Sequence, residues 1–186
     1  MRIISGEFRG RILSSARDHS IRPTTDRAKQ TIFDILSNRI DLEDLMVLDL
    51  FAGSGSLGLE ALSRGARHVV FIEKSKSSIS ILEQNIQSVH CEQRSTVHSA
   101  DVFWYLKHTS QSFDLIFADP PYKLFTIGEI PDAIYHSSAS REGSYVVMEH
   151  SKDSSMNLSE AMYEITKKPF GQTTVLILHT KSKTAL

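Results

Sequence analysis

Val47-Leu48-Asp49-Leu50-Phe51-Ala52-Gly53-Ser54-Gly55-Ser56-Leu57-Gly58 decides the fold. It passes from an apolar run into a glycine-rich turn and then into a helical pattern. Met46–Phe51 reads as a short buried strand and Leu57–Ser63 as a helix, with Gly65 just past its end. Glycines let the backbone turn tightly and let a ligand approach it, and the helix that follows aims free N–H groups at that ligand. Gly53, Gly55 and Gly58 satisfy G-x-G-x-x-G. Taken alone, that spacing fits a dinucleotide, another adenosyl cofactor, or only a tight strand-to-helix turn.

Outward from this turn, strands and helices alternate. His68–Ile72, Ser95–Ser99, Phe113–Ala118 and Tyr145–Glu149 read as strands. Between them, Ile79, Leu82, Ile86 and Val89 recur at helical spacing, and Val102–His108 and the region of Asp132–His136 read as helices. Tyr163–Lys167 and Thr173–His179 have no helix between them and predict an antiparallel hairpin at the sheet edge. Upstream, Arg2–Ser5 and Arg11–Leu13 predict a small hairpin. Beyond it Thr24 or Thr25 can cap a helix carrying Ala28, Ile32, Ile35 and Leu36. The pattern is that of an α/β protein with an open, mostly parallel sheet covered on both faces. In such a sheet ligands bind beyond the carboxyl ends of the strands.

Composition narrows the class. A chain of 186 residues with 40% hydrophobic and 23% charged residues is expected to be one folded domain. Cys91 is the lone cysteine, which excludes an internal disulfide and a multi-cysteine zinc site. No apolar stretch approaches the roughly 20 residues that span a bilayer, and MRIISGEFRGR has no signal-peptide run. The expectation is a soluble cytoplasmic protein without a metal cluster. The net charge of -1 excludes a generally basic coat, but residues 1–40 hold eight basic and four acidic side chains. A basic N-terminal arm on an acidic body suggests one face that meets an anionic partner.

The residues after each strand carry the chemistry. Glu73 follows the second strand, 20 residues beyond Gly53, where a carboxylate can accept from both hydroxyls of a ribose. Asp101 follows the third strand and can accept from an adenine amino group or cap the helix holding Trp104. Asp119-Pro120-Pro121-Tyr122 follows the fourth. Its prolines fix the backbone, so the Pro120 carbonyl and the Asp119 carboxylate offer two acceptors for an exocyclic –NH2, and Tyr122 offers a platform for a planar base. A dehydrogenase has no use for that group.

VLDLFAGSGSLG, Glu73, Asp101 and DPPY resemble the ordered motifs of class I S-adenosylmethionine-dependent methyltransferases that act on amino nitrogens. MRIISGEFRGRIL, RPTTDRAKQTIFDIL, DLFAGSGSLGLEALSRGA and PFGQTTVLIL extend the resemblance, in order along nearly the whole chain, to the RsmD-type 16S ribosomal RNA guanine-N2 methyltransferases. Two departures are mild: Lys74-Ser75 stands for the acidic pair often seen after the second strand, and Ala28-Lys29-Gln30 for a more usual Val-Arg-Glu.

The resemblance implies a Rossmann-like fold with a seven-stranded, mostly parallel sheet and an antiparallel C-terminal strand. Residues 1–40 form an RNA-facing extension and 41–186 the S-adenosylmethionine-binding core. Phe51, Ala52, Gly53, Ser54 and Gly55 border the amino-acid end of the cofactor, with Asp49 orienting that loop or touching the methionine amine. Glu73 and Lys74 lie at the ribose, and Asp101 and Val102 at the adenine. Asp119, Pro120 and Tyr122 hold the amine to be methylated. Pro121, Tyr122, Arg22 and Arg27 meet the RNA, which is expected within a small ribosomal subunit. The same acid-Pro-Pro-aromatic chemistry also serves adenine N6 of nucleic acid and a protein glutamine amide. A nicotinamide dehydrogenase and a catalytically idle RNA-binding assembly factor are the readings from other classes.

Overall fold

The computed structural model describes residues 1–15, 26–121 and 124–183. The elements in chain order are α1 Asp26–Ser37, β1 Met46–Leu50, α2 Ser56–Ser63, β2 His68–Glu73, α3 Lys76–Ser88, β3 Ser95–Ser99 and α4 Val102–His108. They continue with β4 Leu115–Ala118, α5 Ile130–His136, β5 Tyr145–Ser151, β6 Tyr163–Phe170 and β7 Thr173–Thr180. Among the described residues, seven strands form one sheet in the order β3-β2-β1-β4-β5-β7-β6. Only β7 runs against the rest, pairing antiparallel with both β5 and β6. The expected C-terminal hairpin therefore occupies the edge, with β7 inserted between β5 and β6.

The central strands are apolar along their length because helices cover both faces. Side chains alternate between those faces. Val47, Val69, Phe71, Leu115, Phe117, Val147 and Ile177 meet Ile32, Phe33 and Leu36 of α1, Leu59 and Leu62 of α2, and Leu82 and Ile86 of α3. Leu48, Leu50, Val70, Ile72, Ile116, Val146 and Met148 meet Val102 and Leu106 of α4 and Ile130 and Ile134 of α5. The Phe33 and Phe117 rings lie 5.6 Å apart, seating α1 on β4. The mostly parallel seven-stranded sheet with one antiparallel strand near its C-terminal edge, covered on both faces, is the Rossmann-like arrangement expected from the sequence.

The N-terminal hairpin carries less regular pairing than its sequence suggests: one antiparallel bridge joins Arg2 to Ile12. Backbone bonds hold it, with Ile3 N–H donating to the Arg11 carbonyl and Gly10 N–H to the Ile3 carbonyl, both at 2.9 Å. Ile3, Phe8 and Leu13 are buried in the first core layer, so the hairpin is a lid on α2 and not an outlying arm. Glu7 N–H reaches the Ser63 carbonyl at 2.7 Å, and Ser63 Oγ accepts from Phe8 N–H at 2.9 Å. Strand order reverses at β1, with β2 on one side and β4 on the other. The switch point lies where the glycine turn leaves β1.

Candidate active site

The turn after β1 is built from left-handed residues. Phe51 has φ +59°, Gly53 +55° and Gly55 +81°. Phe51 takes a conformation disfavoured for a residue with a side chain, and its ring packs among the residues of the second core layer. Ala52 N–H then donates to the Ile72 carbonyl at 3.0 Å, and Gly55 N–H to the Ala52 carbonyl at 2.7 Å. The two turn glycines answer different demands. A Cβ at Gly55 would lie 2.4 Å from Leu82 Cδ1, so this position is closed by packing. A Cβ at Gly53 would find its nearest neighbour, the Phe51 carbonyl oxygen, 3.9 Å away. Gly53 thus leaves an open face of backbone where a ligand can approach. The N-cap of α2 is Gly55, which has no side chain to cap it.

Beside this turn, carboxylates converge. Asp49, 2% exposed, accepts from Gly58 N–H at 2.9 Å through Oδ2. Burial pushes its carboxyl well above the ordinary value of 3.8. The Gly58 bond opposes that rise, and the charges of Asp119 and Glu73 add to it. Asp49, Glu73 and Asp119 share the sheet face toward α1, α2 and α3, since each continues the alternation of Val47, Phe71 or Phe117. Glu73 Oε2 accepts from Gly53 N–H at 2.9 Å, and Oε1 accepts from the N–H groups of Lys74 and Ser75 at 2.9 and 2.8 Å. Its carboxylate is thereby fixed while keeping acceptor capacity.

Asp101 caps α4: its Oδ1 accepts from Phe103 N–H at 3.0 Å and Trp104 N–H at 3.3 Å. The other oxygen, Oδ2, lies 3.9 Å from Lys74 Nζ. Val102 is buried beneath it. Asp119 follows the last residue of β4 and is half-buried, Pro120 is buried and Pro121 exposed. The Pro121 carbonyl accepts from Leu124 N–H at 2.9 Å. Arg27 is exposed in the first turn of α1. Tyr122 and Arg22 lie outside the described residues.

This donor set fits S-adenosylmethionine. An open glycine backbone leading into a helix start suits a carboxylate. Asp49, Glu73 and Asp119 suit a neighbouring cationic centre and a ribose. Among the described residues no group of His, Cys, Asp and Glu is close enough to hold a metal ion.

A protein family described as Conserved hypothetical protein 95 matches residues 1–179. The chain belongs to this family, the RsmD family. Ribosomal RNA small subunit methyltransferase D of Haemophilus influenzae is 33% identical over 92% of this chain and 89% of its own length. Among solved structures, a hypothetical protein of Thermus thermophilus superposes with a TM-score of 0.83 at 27% identity, covering 97% of this chain and 99% of that one. The ribosomal protein L11 methylase of Lactobacillus delbrueckii subsp. bulgaricus shares the fold at 21% identity, with a TM-score of 0.62 over 83% and 80% of the two chains.

Within this RsmD-family frame, the structure brings Asp49, Gly53, Glu73 and Asp119 together, and ties Asp101 to them through Lys74 and through Ala100 N–H on the Glu73 carbonyl. It also shows residues that sequence reasoning missed. Glu149 stands one position beyond the last β4–β5 pair, beside Asp119, and is buried. Its signal was an acid closing the apolar run Tyr145–Met148. Asn85 and Lys29 lie buried on helix faces that otherwise read as apolar stripes; Lys29 falls in a stretch that carries the resemblance, but sequence reasoning gives neither residue a role.

Proposed function

We propose that this chain methylates the exocyclic N2 amine of a guanine in 16S ribosomal RNA, using S-adenosylmethionine. The observation that carries the reading is the convergence of Asp49, Glu73 and Asp119 on one open glycine turn, with a rigid Pro-Pro backbone next to Asp119. The printed name of the Haemophilus relative supports the ribosomal RNA substrate. When bound, S-adenosylmethionine supplies an electrophilic methyl group on a cationic sulfur. Gly53, Ser54 and Gly55 hold its amino-acid end, Glu73 its ribose, and Asp101, with Val102, its adenine.

A guanine N2 amine is a weak nucleophile because its lone pair is delocalised into the ring. Asp119 and the Pro120 carbonyl each accept one N–H of that amine. This localises the lone pair and stabilises the positive charge that develops on nitrogen. Tyr122 stacks on the base, and Pro121 borders it. The target base leaves its stack to enter. Residues 1–40 face the RNA, with Arg22 and Arg27 on its phosphates, and 41–186 form the catalytic core. The setting is a small ribosomal subunit in the cytoplasm. Among the described residues no helix is long and apolar enough to cross a membrane.

The test is transfer of tritiated methyl groups to small-subunit particles from cells lacking the protein, followed by nucleoside analysis. Label in N2-methylguanosine is expected; label in N6-methyladenosine or in protein overturns the reading. Asp119→Asn keeps the shape and loses the charge, and is expected to lower kcat by about 10²–10³-fold. Wild-type turnover in that variant would remove the proposed amine contact.

A further inference from the structure

We propose that Asn85 is a positioning residue that couples the cofactor turn to the N-terminal element, so that cofactor and RNA strengthen each other's binding. The inference rests on the methyltransferase reading above. Asn85 lies on α3 and is 2% exposed. Its Oδ1 accepts from Ser14 N–H at 2.8 Å, and its Nδ2 donates to the Ser14 carbonyl and to the Ser54 carbonyl, both at 2.9 Å. One buried amide therefore holds both main-chain groups of a residue at the base of the hairpin and one carbonyl of the glycine turn. Only an amide side chain of this length offers one acceptor and two donors in that plane.

A second tie repeats the arrangement on the other side of Gly55. Lys29 of α1 is fully buried. Its Nζ donates to the Arg2 carbonyl at 2.7 Å and to Ser56 Oγ at 3.3 Å, and pairs with Glu60 Oε2 at 3.3 Å. Glu60 in turn accepts from Ile4 N–H at 2.8 Å and Ser5 N–H at 3.1 Å. Ser54 and Ser56, the two neighbours of Gly55, are thus each held by a side chain that also grips the N-terminal main chain. Ser14 is followed, after twelve positions, by α1, the helix that carries Arg27.

A shift of the N-terminal element on RNA moves Ser14, and Asn85 transmits that shift to the Ser54 carbonyl. Because every partner is buried or main-chain, little of the displacement dissipates in solvent. Coupling of this kind is reciprocal: what RNA does to cofactor affinity, cofactor does to RNA affinity by the same factor.

The experiment measures binding of radiolabelled S-adenosylhomocysteine, which cannot react, by equilibrium dialysis with and without saturating unmethylated small-subunit particles. In the wild type the particles are expected to tighten binding about fivefold or more. In Asn85→Leu that gain falls below about twofold. Ser14→Pro deletes the N–H that bonds Asn85 Oδ1, together with the hydroxyl and the freedom of φ there, at an exposed position outside the cofactor site, and keeps the test open should the Asn85 variant not fold. It is expected to lose the gain as well, while Ser14→Ala, which retains the N–H, keeps it. An undiminished gain in folded Asn85→Leu or Ser14→Pro overturns the proposal. So does a wild type that methylates particles yet binds the probe equally with and without them, an outcome that leaves the methyltransferase reading standing. A wild type that neither binds the probe nor methylates overturns that reading, and the coupling with it.

Discussion

Each face of the sheet buries its own cluster of aliphatic and aromatic side chains, but the two treat polar groups differently. The face under α1, α2 and α3 encloses the ionisable or amide groups of Lys29, Asp49, Glu60 and Asn85, each held by hydrogen bonds. Under α4 and α5, buried hydroxyls such as Ser140 and Ser144 donate to backbone carbonyls, those of Ile134 and Phe113. Charge is costly to bury, and a buried ion pair is weak evidence for stability. Its concentration on the face that carries the glycine turn therefore points to positioning. One face supports the sheet; the other holds the site in register with the hairpin.

The largest expected effect breaks that contrast directly. Lys29→Met removes one of the two cations on the buried Glu60 carboxylate, which keeps Arg64 at 2.8 Å, so the cost is expected at the low end for a broken buried pair, about 3 kcal/mol. Ile116→Ala, on the opposite face and fully buried, is expected to cost a comparable 2–5 kcal/mol, roughly, through the cavity it leaves. Denaturant midpoints check both. The decisive readout is S-adenosylhomocysteine affinity measured well below each melting temperature. It should weaken in Lys29→Met, where Ser56 loses its tether, and stay at the wild-type value in Ile116→Ala. Equal losses would erase the functional difference between the faces.

A smaller effect sharpens it through pH. The carboxyl of Asp49 is raised in the folded protein, chiefly by desolvation. A raised folded pKa means that the native state binds the proton more tightly than the unfolded chain. Its stabilising contribution is therefore full below about pH 3.8 and is lost as pH rises through the folded value. Asp49→Asn keeps an oxygen for Gly58 N–H and has no such loss. Without ligand the variant should gain stability on the wild type as pH rises to neutrality. A cationic cofactor should reverse the order, because only the ionised carboxylate attracts it. Parallel stability-against-pH curves for the two proteins would show that folding leaves the Asp49 carboxyl unshifted.

The alternation of strand and helix was legible because parallel strands covered on both faces are apolar throughout, and their ends are marked by Gly53, Glu73, Asp101 and Asp119. Ser95–Ser99 and Val102–His108 coincide with β3 and α4 as read from sequence. The hairpin was legible as a turn around Gly6–Gly10, but its regular pairing shrinks to one bridge because its backbone donors go instead to Glu60 and Ser63 of α2. That diversion is tertiary and leaves no local pattern. Asn85 and Lys29 were illegible for the same reason. Each is a polar residue in a helical stripe, and only the packed neighbours make it a joint. The basic N-terminal segment, expected to meet an anionic partner, is over its first thirteen residues also a core element, through Ile3, Phe8 and Leu13.

The smallest effect concerns Asp101, where the two readings left open by sequence fall on different oxygens. Oδ1 caps α4, and Oδ2 faces Lys74. Asn is as good a cap as Asp, whereas Ala is not, and loss of a cap typically costs about 1 kcal/mol. Asp101→Ala should therefore lower the melting temperature, while Asp101→Asn should hold it to within a few tenths of that cost in free energy. If Oδ2 accepts from the adenine amino group, Asp101→Asn must still weaken S-adenosylhomocysteine. The rotamer that keeps an oxygen on the cap turns an –NH2 toward the ligand, and two donors then face each other. The predicted pattern is unchanged stability with reduced affinity in Asp101→Asn, and a loss of both in Asp101→Ala. Wild-type affinity in Asp101→Asn assigns the residue to the helix end alone. Adenine contact would then have to come from the backbone beside Val102, where no side-chain substitution can remove it.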